Sequence, residues 1–166
     1  MNRLKRIIPL LLLALLLCAC GQQIDEDQVI ENNATAKVTA GDKVYEISGQ
    51  TVTVNGEVLA DNIGANEEKI VVLGEKVYFN TDDGTKYINS KGKIKNFGAG
   101  KIIYARGQWL YYENIGLYMV SAQDGKQSLL HETSLEFKEE TDKKIIFTDG
   151  KKDYGLKFDG KELSEE

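Results

Sequence analysis

Gly74-Glu75-Lys76-Val77-Tyr78-Phe79 decides the fold, because the chain writes this phrase four times. It aligns with Gly41-Asp42-Lys43-Val44-Tyr45, with Gly107-Gln108-Trp109-Leu110-Tyr111-Tyr112 and with Asp142-Lys143-Lys144-Ile145-Ile146-Phe147. The starts, at 41, 74, 107 and 142, fall 33 to 35 residues apart. Self-similarity at such a period is the mark of a repeat architecture. A turn residue followed by Val, Ile, Tyr and Phe reads as turn and strand.

Two further markers keep step with the first. Each phrase is preceded by an apolar run: Lys37-Val38-Thr39, Lys69-Ile70-Val71-Val72-Leu73, Lys101-Ile102-Ile103-Tyr104 and Leu135-Glu136-Phe137. Each is followed by an alternating run that leads to a glycine turn, at Asn55-Gly56, Lys91-Gly92, Asp124-Gly125 and Asp159-Gly160. Asn-Gly and Asp-Gly favour hairpins because both residues accept positive φ cheaply. Each unit is therefore expected to hold about three antiparallel strands. No helical period follows Leu17. Ser128 to Glu140 has some helical character, but its place in the repeat predicts turn and strand.

One small sheet cannot bury both of its faces alone. Along the phrase, Val77 and Phe79 point one way and Lys76 and Tyr78 the other. Both sets hold large apolar groups, so each sheet is expected to pack against a neighbour on either side, as propeller blades do. An elongated stack or one long meander is the alternative.

These repeats resemble the propeller-type repeats of bacterial lipoproteins, related in shape to receptor propellers with a Tyr-Trp-Thr-Asp signature that is missing here. Tyr154-Gly155-Leu156-Lys157-Phe158-Asp159-Gly160-Lys161-Glu162 is also similar to the tryptophan–glycine repeat, with Tyr in place of Trp. The resemblance spans Val38 to Leu163. It implies binding or scaffolding and transfers no catalytic residue. Closed propellers usually have four-stranded blades and more than four of them. The ring is therefore minimal, or open, or closed by self-association.

The N-terminus speaks about location. Arg3, Lys5 and Arg6 precede the apolar run Ile7 to Leu17, too short for the roughly 20 residues that cross a bilayer. A basic start, an apolar middle and a small residue before the cut describe a secretory signal. Leu17-Cys18-Ala19-Cys20 resembles a bacterial lipobox, which implies a diacylglyceryl group on Cys20 and cleavage in front of it. Cleavage before Cys18 would follow bulky Leu17, which does not suit that protease. Burial of acyl chains contributes about 0.8 kcal/mol per CH₂, so two or more chains anchor firmly.

The expected organisation is a signal peptide over residues 1–19, a lipidated, flexible acidic tether over 20–36 and the β-repeat domain over 37–166. The tether is mostly Gln, Asp, Glu and Asn, and such a chain averages roughly 20 Å end to end. Asn33-Ala34-Thr35 within it matches a glycosylation acceptor pattern.

Formal charge is −5, and the leader carries three of the 21 basic residues and no acidic ones. The remaining acidic surface argues against nucleic acid, which needs clustered positive charge. It also leaves membrane attachment to the lipid. Cys18 and Cys20 are the only cysteines, so the processed chain has no disulfide.

The inventory for chemistry is thin, and no cofactor or metal is expected. His131 is the single histidine, read as a surface or turn residue. Asn80-Thr81-Asp82-Asp83-Gly84 has oxygen-rich spacing but lacks the closing Glu of a calcium loop, so a hairpin turn is expected. Glu67-Glu68 and Glu139-Glu140 are strand neighbours that point apart, so neither pair is an acid/base couple by itself. Carboxylates gathered by the fold would instead suit a cell-wall hydrolase.

Trp109 occupies a slot that is Lys43, Lys76 and Lys144 in the other units. A slot that holds lysine three times predicts exposure. Trp109 and Tyr111, on one face of their strand, are therefore the candidate ligand-binding pair, unless Trp109 fills a gap at a blade edge or inner channel. The expected function is a non-enzymatic binding or scaffold module at the extracytoplasmic face of the cell membrane. Its partner would be an envelope protein, peptide or glycan, or a second copy. An accessory subunit of a membrane complex is a further reading.

Overall fold

A computed structural model describes residues 30–31, 33–158 and 162–166, with the backbone alone at 30–31. Cys20, the signal and the tether up to residue 29 lie outside the described residues. Within them the chain is all β, with no helix.

The first sheet runs β1 (Ile30–Glu31), β2 (Lys37–Ala40), β3 (Lys43–Ser48), β4 (Thr51–Val54) and β5 (Glu57–Ala60). The second holds β6 (Val71–Leu73), β7 (Lys76–Thr81), β8 (Gly84–Ile88) and β9 (Ile94–Gly98). The third holds β10 (Lys101–Arg106), β11 (Trp109–Asn114), β12 (Gly116–Ser121) and β13 (Gln127–His131). The fourth holds β14 (Glu136–Glu140), β15 (Lys144–Thr148), β16 (Asp153–Lys157) and β17 (Leu163–Glu165). Strand order follows chain order and every pairing is antiparallel, so each sheet is a meander.

The repeat is therefore real, but the expectation of three strands per unit is corrected to four. The additional strand closes each unit, at β5, β9, β13 and β17. These strands are largely exposed and show no inside–outside alternation. Each turns an apolar side chain inward: Leu59, Phe97, Leu130 or Leu163. In the first three units that residue is skipped by the pairing register, as a bulge. A bulge re-aims one side chain and bends the edge, which hides the period-2 signal.

Three apolar layers hold the sheets together. Tyr45, Ile47 and Val52 of the first sheet meet Val77, Phe79 and Ile88 of the second. The other face of the second sheet, with Val71, Leu73 and Tyr78, meets Ile102, Leu110 and Tyr112 of the third. The third sheet's opposite face, with Tyr104, Tyr111 and Met119, meets Ile145, Phe147 and Leu156 of the fourth. Each buried Val, Leu, Ile or Phe contributes about 1.5–3 kcal/mol.

The outer faces differ. The first sheet ends the array with Thr39, Thr53 and the Lys37–Glu46 ion pair at 3.6 Å. The fourth ends it with Lys138–Asp153 at 2.6 Å and Lys144–Glu166, which flank Ile146. Among the described residues no apolar layer joins the fourth sheet to the first, and the array is not closed. Polar outer faces are what the terminal units of a stacked repeat require.

Residues 30, 31 and 33–35, within the expected tether, are held by the sheets. Ile30 and Glu31 pair with Ala40 and Thr39. Thr35 bridges Ile70, with N–H···O bonds of 3.0 Å from Ala34 to Ile70 and 2.9 Å from Ile70 to Thr35. Asn33 lies between them, 8% exposed. Its amide donates to the Val72 and Ala105 carbonyls, at 3.2 and 3.1 Å, and accepts from the Val72 N–H at 2.9 Å. One side chain thus ties the first strands of the second and third sheets. A buried amide so engaged is no glycosylation acceptor.

Candidate functional site

A cleft of about 520 Å³ opens at the end of the array where β10 and β14 begin and where β7 and β15 finish. The repeat builds it from recurring positions. The residue four places after the lysine slot is Asn80 in the second unit, Glu113 in the third and Thr148 in the fourth, and all three line the cleft. Lys69 and Lys101, which open the apolar runs of their units, line it too. Val71, Ile102, Ile103, Leu135 and Phe137 supply its apolar wall.

Asn80 is the best-connected polar group here. Its amide donates to Glu67 Oε1 at 2.9 Å and to the Ile102 carbonyl at 3.0 Å. Its oxygen accepts from Thr85 Oγ1 at 2.8 Å and from the Ile102 N–H at 3.1 Å. Thr85 Oγ1 also lies 2.8 Å from the Gly100 carbonyl oxygen, which competes for its one proton, and accepts from the Ile102 N–H at 3.0 Å. Asn80 and Thr85 therefore clasp the second sheet to the first strand of the third. A buried amide must find such partners, because an unpaired one costs about 1–3 kcal/mol.

The same segment settles the oxygen-rich stretch. Thr81 pairs with Gly84 around Asp82-Asp83, so Asn80 to Gly84 is a hairpin. Gly84 has φ +119°, and a Cβ there would collide with the Gly98 carbonyl oxygen. Among the described residues no three His, Cys, Asp or Glu side chains are grouped to hold a metal ion.

Four carboxylates face the cleft: Glu67, Glu113, Glu136 and Asp149. Glu67 accepts from Asn80 and lies 3.4 Å from Lys69. Glu113 accepts from Ser134 Oγ at 2.7 Å. Asp149 accepts from the Lys152 and Lys151 N–H groups, at 2.7 and 2.8 Å, and these bonds hold its carboxyl below the usual range. Lys101 and Glu136 are exposed, and their charged ends make no ion pair or side-chain hydrogen bond among the described residues.

Trp109 and Tyr111 sit elsewhere. Trp109 begins β11 at the end away from the cleft and packs, half-buried, against the layer between the third and fourth sheets. Lys43, Lys76 and Lys144 in the same slot are half-buried as well. The lysine slot is thus a place where an aliphatic stem is covered while the ammonium reaches water, and a tryptophan ring fits the covered part. Tyr111 is 4% exposed, with ring centroids 6.3 Å from Tyr104 and 5.4 Å from Phe147. Burial pushes its hydroxyl pKa up to about 12. The face expected to be open at this pair is covered by the fourth sheet.

His131 forms a local turn contact, with Nδ1 2.9 Å from Thr133 Oγ1 and its ring 4.7 Å from Tyr154. The sequence put Asn33 in a glycosylation pattern and Asn80 in a hairpin turn, and it gave none of Asn33, Asn80, Lys101 and Glu136 its place at this end of the array. A signal existed for one of them: Asn80 and Glu113 share a slot where the strand pattern calls for a packing residue. No protein family model, characterised protein or solved structure matches the chain.

Proposed function

We propose that this protein is a non-enzymatic binding module, tethered at the extracytoplasmic face of the cell membrane through lipid on Cys20. In this reading the four sheets form an open, propeller-like array, and the cleft at one end receives an envelope peptide, protein segment or glycan. The observation that carries it is the make-up of the cleft. An apolar wall sits beside Lys101 and Glu136, a cation and an anion whose charged ends are unpaired among the described residues. Binding sites pair apolar surface with a few placed polar groups in this way.

A hydrolase remains the second reading, because four carboxylates reach the same cleft. Asp149 fits it poorly, since an acid catalyst needs a raised pKa and the Asp149 carboxyl is lowered.

The test is calorimetric titration of the processed chain with envelope peptides and with glycan fragments, repeated with Lys101→Ala/Glu136→Ala. Saturable binding that weakens about tenfold or more in the double variant supports the module. Binding indifferent to both substitutions removes the cleft from the account, and turnover of a fragment replaces the module with the hydrolase. Cys20→Ser should release the chain from the membrane fraction.

A further inference from the structure

The hairpin between the second and third strands occurs in all four units, which makes the units controls for one another. In the first its tip is Gly49-Gln50, in the second Asp82-Asp83 and in the fourth Asp149 to Lys152. These tips are glycine or polar. In the third unit the tip is Ile115, with Asn114 paired to Gly116 across it. Ile115 is 85% exposed and has φ +68°.

A β-branched residue at positive φ is a real outlier, disfavoured by contact between Cβ and the backbone. Asn and Gly tolerate that conformation, and they stand on either side of the position that needs it. The fold therefore sustains backbone strain and an exposed apolar side chain at one point. Strain of this kind persists where function requires it. Leu129, 52% exposed on β13, extends the apolar surface: its Cδ1 would lie 3.1 Å from a Cβ on Gly116.

The surroundings specify the occupant. Ile115 stands on the cleft-bearing end, two residues from Glu113, which lines the cleft. That end carries Glu67, Asp82, Asp83, Glu113, Glu132, Glu136 and Asp149, against Lys101, Lys151, the Glu67-paired Lys69 and the Glu165-paired Lys152. An acidic margin around an apolar point repels a second copy of the same surface and anionic lipid head groups. It suits a protein with basic side chains around an apolar hole.

We propose that Ile115, with Leu129 beside it, anchors a protein–protein contact by entering an apolar pocket of a partner whose rim is basic. The proposal rests on the reading that the cleft end is the binding end. It adds the class of partner and the residue that grips it. A few side chains buried in well-packed pockets carry most of the binding energy of such an interface.

The test places a photo-crosslinking amino acid at Asn114 of the full chain in its native membrane, with Gln50 on the equivalent first-sheet hairpin as comparison. The protein captured is then purified and its affinity measured for the unmodified chain, for Ile115→Asn and for Lys101→Ala/Glu136→Ala. The expected result is one protein crosslinked from position 114 and not from 50. Its affinity falls about tenfold or more in Ile115→Asn and falls with added salt. Ile115→Asn should meanwhile keep or raise the thermal midpoint, since the strain is relieved. Crosslinking to lipid or to a second copy, no crosslink at all, or unchanged affinity in Ile115→Asn overturns the proposal. Loss confined to the Lys101/Glu136 variant overturns the anchor and leaves the cleft reading standing. Indifference to every variant overturns both.

Discussion

The faces between the sheets and the faces at the two ends of the array come from one repeated unit yet carry opposite chemistry. Between the third and fourth sheets the unit presents Tyr104, Tyr111, Phe147 and Leu156. On the outer face of the first sheet the same strands present Lys37, Thr39, Glu46 and Thr53. A unit with two apolar faces would have no natural end, so copies would add without limit. On the outermost faces charged and hydroxyl side chains stand among Val44, Val58 and Ile146, and among the described residues no further sheet covers them. The difference shows that the copies are alike in backbone and specialised in side chain according to position.

The comparison breaks most severely at a dry interface. Phe147→Ala removes a fully buried ring between the third and fourth sheets, and it should cost about 3–5 kcal/mol by urea unfolding. Next comes the amide that spans two inner strands. Asn33→Ala leaves the Val72 N–H and two carbonyls to find new partners. It should cost about 1–3 kcal/mol, far beyond what truncating a tether residue would do.

Alkali offers a graded test of the same interfaces. Burial raises the pKa of Tyr45, Tyr78, Tyr104 and Tyr111 above the usual 10. The unfolded chain loses these protons first, so over that range the native state holds more protons. Stability is then fully present below pH 10 and falls as pH rises through the native values. Tyr111 alone, at about 12, should account for on the order of 1 kcal/mol between pH 10 and 11. A flat unfolding midpoint from pH 9 to 11 would contradict buried tyrosines. The smallest effect belongs to the outer face: Glu46→Ala, which breaks an exposed pair with Lys37, should cost less than about 1 kcal/mol and nothing at high salt.

The sequence made the repeat legible because its second strands obey a strict pattern. The slots of Val77, Leu110 and Ile145 point toward the preceding sheet, as alternation requires. The closing strands escaped because each buries little beyond one apolar side chain, in three units through a bulge that breaks the period. Trp109 is half-buried in a slot whose lysines predict exposure, because a lysine stem can lie half-covered while its ammonium reaches water. The cleft residues were harder still. Lys101 and Glu136 belong to different repeats, and only packing of the third sheet on the fourth brings them to one opening. Asn33 carries no local sign of its place, since its three bonds reach residues 39 and 72 positions away.

The most direct measurement is native-state thiol labelling of single cysteines introduced into a chain whose own cysteines are serine. Val77→Cys and Leu110→Cys stand at dry interfaces; Glu46→Cys and Lys157→Cys stand on the two outer faces. An open array of four stacked sheets predicts that the first two react only as fast as the protein unfolds and the last two react like exposed thiols. Protection at both 46 and 157 would contradict it, because the first and fourth sheets would then be covered, by each other or by another copy.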